Sequence, residues 1–201
     1  MLTNIQVIDL AERMNIPLED VVFKSELTNM TLRYNRSYII NLEDEFDDEG
    51  RKNQGSHYVC FQVNHYLDKP DEHVYFDSYG CAPPNEVLDF CKVKEMPYSE
   101  IDVQSIMADC CGWFALAFLH FINAWEGRSK NLYQDAEHFT SLFKDLNKDD
   151  DWKFNEYVLK QFFKPPNSTK KTTMEDLGFK FLPDKNIASG IADVNSIDSK
   201  K

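Results

Sequence analysis

The 201-residue chain lacks any apolar run long enough to cross a bilayer. Its longest, Trp113 to Ile122, is interrupted by His120 and falls far short of the ~20 residues a span requires. Glycine and proline are sparse, at 7 and 8 residues, which excludes collagen-like and low-complexity chains. A basic surplus is missing too. With 34 acidic against 22 basic residues the net charge is −12, and such a surface repels nucleic acid over distances that salt leaves unscreened. Nucleic acid is therefore not expected as a partner, nor is a membrane. The five cysteines (Cys60, Cys81, Cys91, Cys110, Cys111) form an odd set with two adjacent, unlike the even, spaced sets of secreted disulfide scaffolds. No Cys-x2-Cys pair offers a zinc site, and no metal or cofactor is expected. The polar amphipathic stretch after Met1 has neither the basic start nor the apolar core of a secretion signal. The expectation is a soluble, intracellular protein with reduced thiols.

What is present is core material. Apolar residues make up 42%, and 15 Phe, 9 Tyr and 3 Trp exclude a wholly disordered chain. A chain of this length buries roughly 70% of the surface that its unfolded form exposes, enough for one domain. Residues 4–14 place Ile5, Ile8 or Leu10, Ala11 and Met14 near helical spacing. Strands are expected at 37–42 and 57–63, separated by an acidic loop, with 73–77 as a hairpin partner across a turn around Lys69-Pro70-Asp71. A short helix at 86–91 and a strand or extended segment at 96–104 follow. Residues 110–125 are apolar nearly all round at helical length, which marks a helix buried in a core. Amphipathic helices are expected at 132–146 and 152–163, the second ended by Pro165-Pro166. The fold class is α+β: a small mixed or antiparallel sheet packed on a central buried helix with flanking helices. Residues 1–166 form the domain; 167–201, rich in Lys, Asp, Ser and Thr, read as a polar C-terminal tail.

The chemistry converges on one cysteine. A helix N-terminus supplies unpaired N–H donors and partial positive charge, and both favour a thiolate. Cys111 opens the buried helix, and Gly112 beside it lets backbone approach a ligand closely. Cys110 sits one residue earlier and points elsewhere. His57 starts a strand after a Gly-Ser loop, where a general base would be exposed. Asp77 ends the partner strand, and hairpin ends lie close enough for its carboxylate to hold the imidazole through Nδ1. Gln104, seven residues before Cys111, has a side-chain N–H suited to a developing oxyanion. One such residue alone is usually structural; four in this order, each at an element end, are hard to explain as core.

Gly55-Ser56-His57-Tyr58, Tyr75-Phe76-Asp77-Ser78-Tyr79-Gly80, Gln104 and Cys111-Gly112 resemble the adenovirus protease (adenain) family, and more distantly the SUMO- and ubiquitin-like-protein-processing cysteine proteases. The resemblance spans roughly residues 37–125. It implies a papain-like, adenain-like fold, with Cys111 as nucleophile, His57 as base, Asp77 as its orienter and Gln104 as oxyanion donor. Within the family the chain looks most like the capsid-maturation proteases of virophages and polinton-like viruses. The implied function is viral cysteine endopeptidase, with capsid or virion precursor proteins as substrates, in the virion and the host cytoplasm or virus factory. Two departures stand out: Tyr58 replaces the family's usual Trp, and the charge of −12 contrasts with a basic, DNA-assisted relative. A deconjugating isopeptidase and a catalytically silent capsid-binding module are the alternatives.

Weaker signals have bland readings. Asp145 to Glu156 approaches a calcium-binding EF-hand loop, but Asp150 replaces the turn glycine and Lys153 adds positive charge, so it reads as a solvated helix–helix loop. The acidic run Asp44 to Glu49 reads as a solvated loop that, beside a cleft, would also favour basic substrates. His120, inside the apolar helix, reads as a hydrogen-bonded core residue.

Overall fold

The computed structural model describes residues 2–67, 70–124 and 131–163. Part of the turn around Lys69, the end of the central helix at Trp125, the Pro165-Pro166 stop and the tail at 167–201 lie outside them. The architecture is the expected α+β arrangement. Helix α1 (Asn4–Arg13) leads into β1 (Leu18–Phe23), a 3-10 helix (Lys24–Asn29), β2 (Arg36–Asn41), β3 (Tyr58–Asn64) and β4 (Glu72–Phe76). Helices α2 (Asn85–Cys91), α3 (Cys111–Ala124), α4 (Leu132–Ser141) and α5 (Trp152–Gln161) complete the chain. The strands form one sheet in the order β1-β2-β3-β4, with β1 parallel to β2 and the other pairs antiparallel.

Both faces of this sheet are covered, which is why its strands read as nearly continuous apolar runs. Ile39, Tyr58, Cys60, Val74 and Phe76 face the core built on α3, while Tyr38, Ile40, Val59, Phe61 and Tyr75 face a second core under α2 and the 3-10 helix. Helix α3 packs on β3 and is enclosed by α1, α4 and α5, so no side of it meets water. Phe76 stacks on Phe118 at 4.6 Å, and the Phe139 ring meets both edge-on. Burial of one such ring stabilises the fold by about 2–3 kcal/mol relative to exposure. His120 lies in this core and hydrogen-bonds through Nδ1 with the Met14 carbonyl at 3.1 Å, as expected; burial pushes its pKa down.

Local chemistry sets the helix starts. Thr3 and Gln6 form a reciprocal capping box on α1. Asn131 accepts from Tyr133 and Gln134 at the start of α4, and Asp151 accepts from Phe154 at the start of α5. That cap gives Asp151 of the EF-hand-like segment a structural task, while Asp145 takes the Asn147 N–H and pairs with Lys148.

Four expectations need correcting. The strand β1 and the 3-10 helix occupy a stretch given no element from sequence, and β1 is what makes the sheet mixed. The buried face of α1 is Val7, Leu10, Ala11 and Met14, whereas Ile5 and Ile8 are exposed. Residues 96–104 make only one bridge to the sheet, Tyr98 with Tyr75, because side-chain and loop hydrogen bonds hold the rest. Helix α4 stops at Ser141, since Asn155 takes the Lys144 backbone out of the helical ladder with bonds at 2.7 and 2.8 Å.

Candidate active site

Antiparallel pairing brings the start of β3 beside the end of β4, so residues 57 and 77 meet although 20 residues separate them. His57 immediately precedes β3, and its carbonyl accepts from Leu42 at 3.0 Å. Buried Asn41 anchors the approach by accepting from Ser56 at 3.3 Å and Glu43 at 3.0 Å. Gly55 is required there. Its φ is +86°, and any side chain would run into the Asn41 amide. Asp77, buried just past β4, lies with Oδ1 2.7 Å from His57 Nε2 and accepts from the Tyr79 N–H at 2.8 Å.

The nitrogen on Asp77 is Nε2, not the Nδ1 expected from sequence. The reason is the position of sulfur. Cys111 Sγ lies 3.5 Å from the Tyr58 backbone N–H, next to the His57 main chain, while the tip of the imidazole reaches the carboxylate. The His57 side chain lies near enough to Cys111 for the thiol to favour the charged imidazole. Cys111 is the first residue of α3, where the first turn's N–H groups have no helical acceptors. The Tyr58 N–H adds a donor to the sulfur. A side chain on Gly112 would press on Leu2 and Tyr58, each 3.3 Å from its first carbon, so glycine lets the N-terminal segment pack against the helix start.

The imidazole is balanced between opposing effects. Burial pushes its pKa down, but the Asp77 hydrogen bond, then the neighbouring Cys111 thiol and the Asp77 charge, outweigh burial and hold it at about 9. An imidazolium is the state these partners favour. Burial, then the Glu156 charge, pushes the Cys110 thiol up to about 12. Burial likewise pushes Cys91 up to about 12.

Gln104 is buried on the loop before α3, and its amide is fully engaged. Oε1 accepts from Ser78 Oγ at 2.9 Å, while Nε2 donates to the Ala108 carbonyl at 2.6 Å and to Tyr79 Oη at 3.0 Å. The Ser78 carbonyl takes the N–H groups of both Val103 and Gln104. Asn155 donates to the Val103 carbonyl at 2.9 Å, tying this loop to α5. Tyr79 also reaches the base: its ring lies on the His57 ring with centroids 4.6 Å apart and planes at 28°. Sequence reasoning named the four separate residues and missed the Ser78–Tyr79 pair that joins them. The only available signal was adjacency to Asp77.

A groove of about 690 Å³ lies on the Gly55–Tyr58 side of this constellation, lined by Leu2, Asn4, Glu26, Glu45, Gly55 and Tyr58 among others; Cys111, His57, Asp77 and Gln104 do not line it. Among the described residues no helix is long and apolar enough to cross a membrane.

No protein-family model matches the chain, and no curated protein matches it. Among solved structures, HopZ1a in complex with IP6 is similar at a TM-score of 0.43 and 10% identity, over 98% of this chain and 86% of that one.

Proposed function

We propose that the chain is a cysteine endopeptidase of the adenain-like kind, using Cys111, His57 and Asp77 as a triad and an oxyanion site centred on Gln104. The observation that carries this reading is the grouping of Asp77, His57 and Cys111: a carboxylate 2.7 Å from one ring nitrogen of an imidazole whose charged form is favoured by a neighbouring thiol at a helix start. Such a grouping serves acyl transfer. The Cys111 thiolate adds to the scissile carbonyl carbon, and the C=O pair moves onto oxygen. The oxyanion is held by the Cys111 backbone N–H and the Gln104-centred polar group. Collapse restores the carbonyl and expels the amine, which leaves with the His57 proton. Water then adds to the thioester after giving a proton to His57, and a second collapse releases the carboxyl product and the thiolate.

The substrate class follows from the family resemblance. The neighbouring groove carries carboxylates at Asp20, Glu26 and Glu45 against one cation, Lys52, a balance that favours basic segments of a bound chain. Capsid or virion precursors, cleaved during maturation in the virion and the host cytoplasm or virus factory, are the substrates this reading assigns. The test is cleavage profiling of a diverse peptide library beside ubiquitin-like precursors, with Cys111→Ala as control. Cleavage of short peptides, abolished by Cys111→Ala, supports the endopeptidase. Cleavage confined to folded ubiquitin-like precursors turns the reading to an isopeptidase. No Cys111-dependent cleavage of any substrate leaves a silent binding module.

A further inference from the structure

Gln104 is placed where an oxyanion donor is expected, yet it has nothing left to donate. A glutamine amide carries two N–H groups. One goes to the Ala108 carbonyl and the other to Tyr79 Oη, while the amide oxygen takes the Ser78 hydroxyl. The residue is 2% exposed and held from three directions, so turning an N–H toward a substrate would break an existing bond. The hydroxyl that accepts from Gln104 is in the opposite condition. It keeps its own proton, and among the described residues that O–H has no acceptor. Tyr79 is only partly buried, and it lies near enough to Cys111 for that residue's charge to act on the phenol.

We propose that the Tyr79 hydroxyl is the side-chain donor to the oxyanion, with Gln104 as the positioning residue that orients it. The assignment rests on the Cys111–His57 reading above. Three contacts fix the phenol: the Tyr79 N–H on Asp77 Oδ1 at 2.8 Å, the ring on His57 at 4.6 Å, and Oη on Gln104 Nε2 at 3.0 Å. Accepting from Gln104 polarises the O–H and strengthens it as a donor, as in any chain of hydrogen bonds. Burial, and then the charge on Cys111, raises the phenol's pKa, which keeps the donor protonated beside a thiolate. As the sulfur adds, the carbonyl pair moves onto oxygen and the phenol donates a hydrogen bond without giving up its proton. The bond weakens again when the carbonyl re-forms.

Two small reagents separate this role from a structural one without knowledge of the cleavage motif. Acylation by p-nitrophenyl acetate builds an oxyanion; alkylation by iodoacetamide uses the same thiolate and builds none. Tyr79→Phe is expected to slow Cys111 acylation about 100-fold. Alkylation of Cys111 and its pH profile should stay within about twofold of the parent, the readout that a merely structural role would move. Gln104→Leu, which removes the orienting group but leaves the donor, should cost about tenfold in acylation, less than Tyr79→Phe. Acylation by Tyr79→Phe within about threefold of the parent overturns the proposal. So does a larger loss in Gln104→Leu than in Tyr79→Phe, which would make the amide the direct donor. A parallel fall in alkylation overturns it as well, since Tyr79 would then act through His57. Failure of the underlying reading looks different: in the parent protein, iodoacetamide would not single out Cys111, or Cys111→Ala would still be acylated.

Discussion

Replacing Asp77 by asparagine removes one charge and almost no volume. Asn Oδ1 still accepts from the His57 ring and from the Tyr79 N–H, so the hairpin ends stay together. What changes is the imidazolium. Burial pulls the ring toward neutrality, and Asp77 is the largest of the contributions that hold it at about 9 rather than 6.5. That difference is worth about 3 kcal/mol in favour of the charged form, or roughly 100-fold in its population. Because the folded pKa is raised, this stabilisation is fully present below pH 6.5 and is lost as pH rises through about 9. Peptide turnover by the parent should therefore show an alkaline limb near pH 9. In Asp77→Asn the limb should move about two units toward acid, with turnover at pH 8 falling about tenfold. The melting-temperature gap between parent and variant should be wide at pH 6 and close by pH 10. Turnover and melting curves across that range are the assay. An alkaline limb that stays near pH 9 in the variant refutes the charge argument. A lower melting temperature with full turnover per folded molecule makes Asp77 structural.

Cys111→Ala is expected to abolish turnover, whereas Cys110→Ala, which removes a thiol that burial keeps protonated, should keep turnover and lose about 1 kcal/mol of stability or less; activity-based labelling and a melting curve check both. Gly80→Ala should cost about 2–4 kcal/mol, because φ is +68° and a Cβ would stand 2.7 Å from the Glu100 carbonyl oxygen. A denaturant melt within experimental error of the parent would show that the 77–80 turn relaxes freely. A chain ending at Pro166 is expected to match the full chain in melting temperature and turnover, and a loss of either would make the 167–201 segment part of the domain.

The elements legible in the sequence are those whose burial is decided by their own residues. Helix α3 is apolar on every side, and β3 and β4 are apolar on both faces, so no tertiary knowledge is needed to see them. Strand β1 was illegible for the opposite reason. Leu18-Glu19-Asp20-Val21-Val22-Phe23 carries two acids, lies at the sheet edge, and its pairing slips between Leu18 and Asp20. It becomes a strand through β2, its parallel partner. The meeting of His57 with Asp77 was readable as the two ends of a hairpin. Which ring nitrogen faces the carboxylate was not, because that depends on a sulfur 53 residues from Tyr58. Residues 96–104 read from sequence as a strand or extended segment, and hydrogen bonds from Ser78 and Asn155, which sequence does not reveal, hold the Gln104 end. Proximity to Asp77 was a weak signal for Tyr79: an aromatic two residues past an aspartate looks the same whether it packs in a core or spans a site.

The bond between the Tyr58 N–H and the Cys111 sulfur has a consequence for synthesis. A ribosome releases the base and its carboxylate well before the thiol, and the sheet that holds them can form while the nucleophile is still in the exit tunnel. Closing so long a loop costs more entropy than any hairpin in the sheet, so the final docking of α3 is the slow, late event. Reactivity then arrives in one step, at completion of the domain. No nascent chain too short to carry α3 brings the Cys111 sulfur to the His57–Asp77 pair.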